Sequence, residues 1–158
     1  MSGEQLNRLP MMLSVVVGLT LSILPLPRWL DIARPDFVVI VVLYWSIMVP
    51  RAGGILLAFA CGLALDAFKG VVLGQHALAL SLATYVAIKL HLRIRIFPVW
   101  HQALTVFWLL ALYQFVLFWI DGATGHPITN YARWLPAFIG AALWPVFAGL
   151  LGNAYQRT

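Results

Sequence analysis

Asp66 and His76 are the residues best placed to do chemistry. Asp66 lies near the end of the apolar run GILLAFACGLALDAFKG, and His76 follows ten residues later. An ionisable group at membrane depth is a functional candidate by default, because lipid does not solvate charge. Three roles fit Asp66: an interfacial acid at a helix end paired with a neighbour such as Lys69, an internal lock between helices or towards a partner, or a step in a proton relay. If the segments on either side of Lys69 and Gly70 form a helical hairpin, His76 reaches the depth of Asp66 and a hydrogen bond joins them. One Asp with one His is not a catalytic set. No serine or cysteine stands beside an obvious base, so nucleophilic catalysis has no visible kit. His76, His91, His101 and His126 are dispersed, and no two share the three- or four-residue spacing that puts metal ligands on one helix face. Cys61 is the single cysteine, so no internal disulfide and no cysteine-based zinc site can form.

The surroundings of these residues are set by composition. The chain has 158 residues, 63% hydrophobic and 9% charged, whereas an ordinary soluble domain is about 25% charged. There is too little polar surface to coat a water-soluble fold. That excludes a soluble enzyme, a disordered regulator and a nucleic-acid binder. Ten Lys plus Arg against five Asp plus Glu give +5, but the charges are scattered singly between apolar runs. A single polytopic membrane domain results, and its all-round apolar segments are those of helices rather than of barrel strands.

Six segments of roughly membrane-spanning character are expected at about 10–24, 35–49, 53–68, 71–90, 98–120 and 133–151. Pro25 and Pro27 stop the first, Pro35 and Asp36 open the second, and Pro50 with Arg51 ends it, because proline lacks a donor and clashes with the preceding turn. The first segment lacks a small-x-small cleavage site before Pro25 and reads as an uncleaved span. With six spans, Arg8, Arg51, Lys89, Arg93, Arg95 and Arg157 share the side of the N-terminus, and Arg28, Arg34, Lys69 and Arg133 take the other. The basic excess puts both termini in the cytoplasm. Asp31, Asp36, Asp66 and Asp121 lie on the outer side and Glu4 on the inner.

Gly54, Ala58, Gly62, Asp66 and Gly70 recur every four residues and so share a helix face. Small residues on one face admit a second helix. Ala79, Ala83 and Ala87 make a similar seam, and Gly140, Ala141, Ala148 and Gly149 surround Trp144-Pro145 in the last segment. Proline there kinks a helix and shapes a groove. Such faces in the third, fourth and sixth segments are where a single-span partner would dock. The run from Lys89 to Phe97 alternates charged and apolar residues and reads as an anchor at the lipid surface or a docking edge for a cytoplasmic partner. Trp29, Trp100, Trp119 and Trp134 read as interfacial anchors, and Trp45 and Trp144 as deeper packing residues.

Arg34-Pro35-Asp36, Tyr44-Trp45, Pro50, Gly62-Leu63-x-x-Asp66-x-x-x-Gly70-x-x-Leu73-Gly74, Ala77-Leu78, Tyr85, Gln102-Ala103-Leu104 and Trp144-Pro145 follow one another in order. This series resembles the rod shape-determining protein MreD family over essentially the whole chain. The resemblance implies an all-α bundle of about six transmembrane helices, similar to the substrate-binding subunits of energy-coupling-factor transporters. It implies an inner-membrane subunit of the bacterial elongation complex that docks MreC and works with MreB and a glycosyltransferase–transpeptidase pair in lateral peptidoglycan synthesis, with no catalytic activity and no cofactor. Its motif falls on Arg34, Pro35, Asp36, Gly62, Asp66, Gly70, Gly74, Trp144 and Pro145. The other reading of the same residues is a small-molecule transporter or substrate-capture subunit, drawn from Asp66, His76 and the short segments.

Overall fold

A computed structural model describes residues 8–52, 54–126 and 130–156. Gly53, Glu4 and Arg157, which entered the span and charge readings above, lie outside the described residues. Seven α-helices and one short 3-10 turn make up the secondary structure of those residues, with no strand. We label them α1 (Arg8–Ile23), α2 (Arg28–Asp31), α3 (Phe37–Met48), α4 (Ile55–Lys69), α5 (Gln75–Ile96), α6 (Val99–Ala123) and α7 (Leu135–Gln156), the last preceded by the 3-10 turn Tyr131–Trp134.

The centre of the molecule is α3. Its sequence FVVIVVLYWSIM is apolar on every face, the pattern of a helix enclosed by other helices. Every residue from Val38 to Ile47 is buried. Twelve residues rise only about 18 Å, well short of the roughly 30 Å of a hydrocarbon core. Backbone outside a helix is tolerated at such depth only inside protein or beside a water-filled cavity. The neighbours of α3 supply that enclosure. On one side lies α1, held by Trp45 Nε1 donating to Ser14 Oγ at 2.8 Å and by Gly18, whose missing Cβ would lie 3.0 Å from Val38 Cα. On the others lie α5 and α7, with Gly140 of α7 admitting Leu110 and Ile40.

Three helical segments are long and apolar enough to cross a membrane: Gln75–Ile96, Val99–Ala123 and Tyr131–Ala154. Arg8–Ile23 and Phe37–Met48 are shorter apolar helices, and α4 has 15 residues. One element runs further than its sequence suggests. α5 continues through Lys89, Arg93 and Arg95 to Ile96, so the alternating run forms the last two turns of a helix. It stops where Pro98 forces Phe97 into an extended conformation, with φ −73° and ψ 147°, as a residue before proline prefers. On a helix the alternation loses its meaning: Ile94 is buried in the core while Leu92 and Ile96 face outward.

The long helices alternate in direction. α4 and α5 meet in an antiparallel hairpin through Gly62 and Ala77. α6 and α7 form another, in which Phe107 packs on Phe138 with ring centroids 4.8 Å apart. In consequence Arg8, Arg51, Lys89, Arg93 and Arg95 gather at one end of the bundle. Asp36, Asp66, Lys69, His76, Asp121 and Arg133 gather at the other.

Candidate functional site

The four-residue spacing of small side chains on α4 has a direct structural use. A Cβ on Gly62 would fall 2.3 Å from Ala77 Cα and 2.5 Å from Ala77 N. These are backbone atoms that cannot step aside. Ala58 and Gly62 are buried on this face, and the face is filled by α5 of the same chain. The seam in the third segment is therefore not open to a second protein's helix, and neither are Ala79, Ala83 and Ala87 of α5, all buried in the core.

The same face delivers Asp66, 1% exposed, to the start of α5. Gly70 ends α4 in the left-handed conformation, φ 64°, with its N–H on the Asp66 carbonyl. Val71 N donates to that carbonyl too, at 3.3 Å. Gly74 stands at the N-cap of α5 with φ 97° and no side chain to cap it. The first N–H groups of a helix have no intrahelical partner, and here the Asp66 carboxylate takes them. Gly74 N donates to Oδ2 at 2.8 Å, His76 N to Oδ1 at 2.9 Å, and Ala77 N to Oδ2 at 3.4 Å. His76 Nδ1 lies 2.8 Å from Oδ1. With the carboxylate ionised, the imidazole proton belongs on Nδ1, since the oxygen only accepts. Gly62, Asp66, Gly70 and Gly74 thus form one device: close approach, cap borrowed from the preceding helix, and two left-handed turn positions.

Lys69 does not pair with Asp66. Its Nζ reaches Asp36 Oδ1 at 2.6 Å, because the Asp66 side chain turns inward to α5 while Lys69, three residues on, faces the start of α3. Tyr113 of α6 donates to Asp36 Oδ2 at 3.0 Å, and its ring lies 6.1 Å from that of His76. A third acid completes the cluster: Asp121 accepts from Gln75 Nε2 at 2.6 Å and pairs with Arg133 Nη2 at 2.6 Å. Five elements, α3 to α6 and the 3-10 turn, are cross-linked at one end by three carboxylates. Each of the three carboxylates thus accepts from at least two groups outside its own residue.

Beside Asp36 a cavity of about 510 Å³ opens between Leu24–Leu26, α2 and the end of α4, with Asp31, Arg34 and Lys69 in its wall. Arg34 lies at its inner side with a side chain 10% exposed. Its Nη1 donates to Leu24 O at 2.5 Å, satisfying a carbonyl left over at the end of α1, and lies 3.8 Å from Asp31. Nε and Nη2 have no partner among the described residues. Pro35 is buried, with its Cβ facing Gly140 of α7.

The remaining sequence candidates lie elsewhere. Gly54 is the N-cap of α4, at the opposite end. Trp144 is buried deep in α7, its Nε1 pointing to Gln102 Oε1 at 3.4 Å and its ring 6.0 Å from Tyr44. Pro145 faces outward beside it. Tyr44-Trp45, Gln102 and Trp144, far apart in the chain, thus meet in the core. Sequence reasoning did not find Tyr113, Asp121 and Arg133 as partners of this cluster. A phenol and a glutamine, Tyr113-Gln114, inside a long apolar run were the signal for the first.

The chain matches the family described as rod shape-determining protein MreD over residues 4–153. A curated relative is rod shape-determining protein MreD of Haemophilus influenzae, 30% identical over 130 residues that make up 82% of this chain and 80% of the relative. No solved structure matches the chain.

Proposed function

The chain belongs to the rod shape-determining protein MreD family, which gives it a role in determining rod shape, and from that premise we propose that it is a non-catalytic inner-membrane subunit of the elongation complex. In this reading six of its helices cross the bilayer, as in the energy-coupling-factor substrate-binding subunits that the family resembles. Both termini are cytoplasmic, on the side of the basic end. MreC, MreB and the glycosyltransferase–transpeptidase pair are its partners.

The observation that carries the reading is the inward commitment of the acids. Asp66, Asp36 and Asp121 hold helices together, so the chemistry-bearing residues serve the fold and the outer faces are left for contact. Among the described residues the outer face of α7 is a small-residue face left open. A Cβ on Gly149 meets nothing within 4 Å, and Ala142, Pro145 and Val146 are exposed along the same stripe. We assign the MreC span to this stripe, since small residues let helices approach closely in lipid. Replacing Gly149 by Leu should lower recovery of MreC from membranes while the thermal midpoint of the purified chain stays put. Equal recovery at normal expression would remove α7 as the docking face.

A second reading, a substrate-capture subunit, is favoured by one feature: the cavity beside Arg34, whose Nε and Nη2 have no partner among the described residues. Saturable binding of a small anion to the purified chain, lost in Arg34→Gln, would favour it over the scaffold.

A further inference from the structure

We propose that the groove between α1 and α4 at the basic end is a site for one anionic phospholipid, with the phosphodiester at Arg8 and Arg51 and an acyl chain along the groove. The inference rests on the membrane reading alone and is independent of the rod complex. The groove holds about 470 Å³, and Arg8, Arg51, Met12, Leu56, Leu57 and Ala60 are in its wall. Among the described residues no Asp or Glu lines it. Both arginines are exposed, and neither pairs with a carboxylate among the described residues.

Two guanidiniums at one mouth match a phosphate diester, because the planar fork binds phosphate oxygens through paired hydrogen bonds. The N-terminus of α4 lies at the same mouth. Its N-cap is Gly54, which offers no side-chain acceptor, and the exposed N–H groups of such a turn favour an anion. Below the arginines the wall is apolar, with Leu56 84% and Met12 56% exposed. A free phosphate would leave that surface bare, whereas an acyl chain covers it. The cavity beside Arg34 differs in both respects. There Arg34 and Lys69 face Asp31 and Asp36, so its charge is already balanced.

The test uses the full chain purified in detergent and native mass spectrometry, with phosphatidylglycerol, phosphatidylcholine and soluble glycerol phosphate as probes at equal concentration. Phosphatidylglycerol should be retained as a single adduct, preferred over phosphatidylcholine, with no glycerol phosphate adduct. Arg8→Gln and Arg51→Gln should each lower retention about fivefold, the scale of one basic residue at an anionic surface. Ala60→Phe, which fills the groove and leaves the charge alone, should lower it too. Arg28→Gln at the opposite end should leave it unchanged, with circular dichroism showing equal helix content throughout. Equal retention of both lipids, undiminished retention in Arg8→Gln/Arg51→Gln, or a glycerol phosphate adduct as strong as the lipid's would overturn the proposal.

Discussion

The two ends of this helical bundle carry similar numbers of cations and use them differently. At the Asp66 end, Arg34, Lys69 and Arg133 each lie against an acid, at 3.8, 2.6 and 2.6 Å, and Arg28 on α2 is the cation that pairs with none among the described residues. His76 sits 2.8 Å from Asp66. At the other end Arg8, Arg51, Lys89, Arg93 and Arg95 face no carboxylate among the described residues, and Lys89 rests over the Tyr85 ring at 5.6 Å. The first arrangement closes on itself and ties helices together. The second faces the surroundings, the side from which the negative charge of a lipid surface attracts basic residues. The lesson is that a net charge of +5 describes neither end: the charges that tie helices together cancel, and most of the excess stands exposed at the end away from Asp66.

If the Asp66 end holds the fold, the heaviest damage comes from Gly62→Leu. An overpacked core ordinarily costs about 1–3 kcal/mol by shifting side chains. Here the obstacle is the Ala77 backbone, so the expected outcome is loss of folded protein, read as aggregation in size-exclusion chromatography. Asp66→Leu comes next, at about 3–5 kcal/mol, because one change strips a buried carboxylate from its partners and leaves the N–H groups of Gly74 and His76 without acceptors. Unfolding in denaturing detergent should show it. A stable Asp66→Leu chain would mean the end is held by apolar packing, and the contrast between the ends would dissolve.

Local spacing made much of this end legible. The repeat Gly54, Ala58, Gly62, Asp66, Gly70 marks a close-packing face with an inward acid, and a repeat of four is a property of one helix. What fills that face is not. The spacing admits any helix, and the answer, α5, depends on the turn through Gly70 and Gly74 folding back on its own chain. The Asp36 pairings were hidden for a plainer reason. Lys69 is 33 residues away and Tyr113 is 77, so no periodicity connects them. Lys69 beside Asp66 in sequence invites the wrong pair. The apolar run at 35–49 reads in sequence as one more span, and nothing in it says that a helix of only twelve residues would become the hub around which the others pack. The series of motifs carried the family, and the family match confirms it.

Tyr113→Phe sharpens the comparison by removing one bond and almost no volume. Tyr113 is 1% exposed, and its hydroxyl donates to Asp36 Oδ2 at 3.0 Å. Losing that bond should cost about 1–2 kcal/mol, the range of a hydrogen bond to a charged group less what Lys69 retains. In a Lys69→Met background the cost should rise, because Asp36 then has no other side-chain donor. Strict additivity of the two changes would show that the acid, lysine and phenol do not act as one unit.

The smallest effect belongs to the other end, and it is the more discriminating for being small. Arg8 and Arg51 are exposed and touch no acid among the described residues, so Arg8→Gln/Arg51→Gln should move unfolding in detergent by no more than about 0.5 kcal/mol, as for surface changes generally. Added anionic lipid should then separate the two chains, raising the thermal midpoint of the parent and leaving the double variant where it was, since a ligand stabilises only what binds it. The effect should fade as salt rises, because exposed charges are screened within about 8–10 Å at ordinary ionic strength. The Asp66 network is buried and should hold through the same titration. A double variant destabilised in plain detergent as severely as Asp66→Leu would place the basic end among the fold's own supports, and no charge would be left over for a ligand.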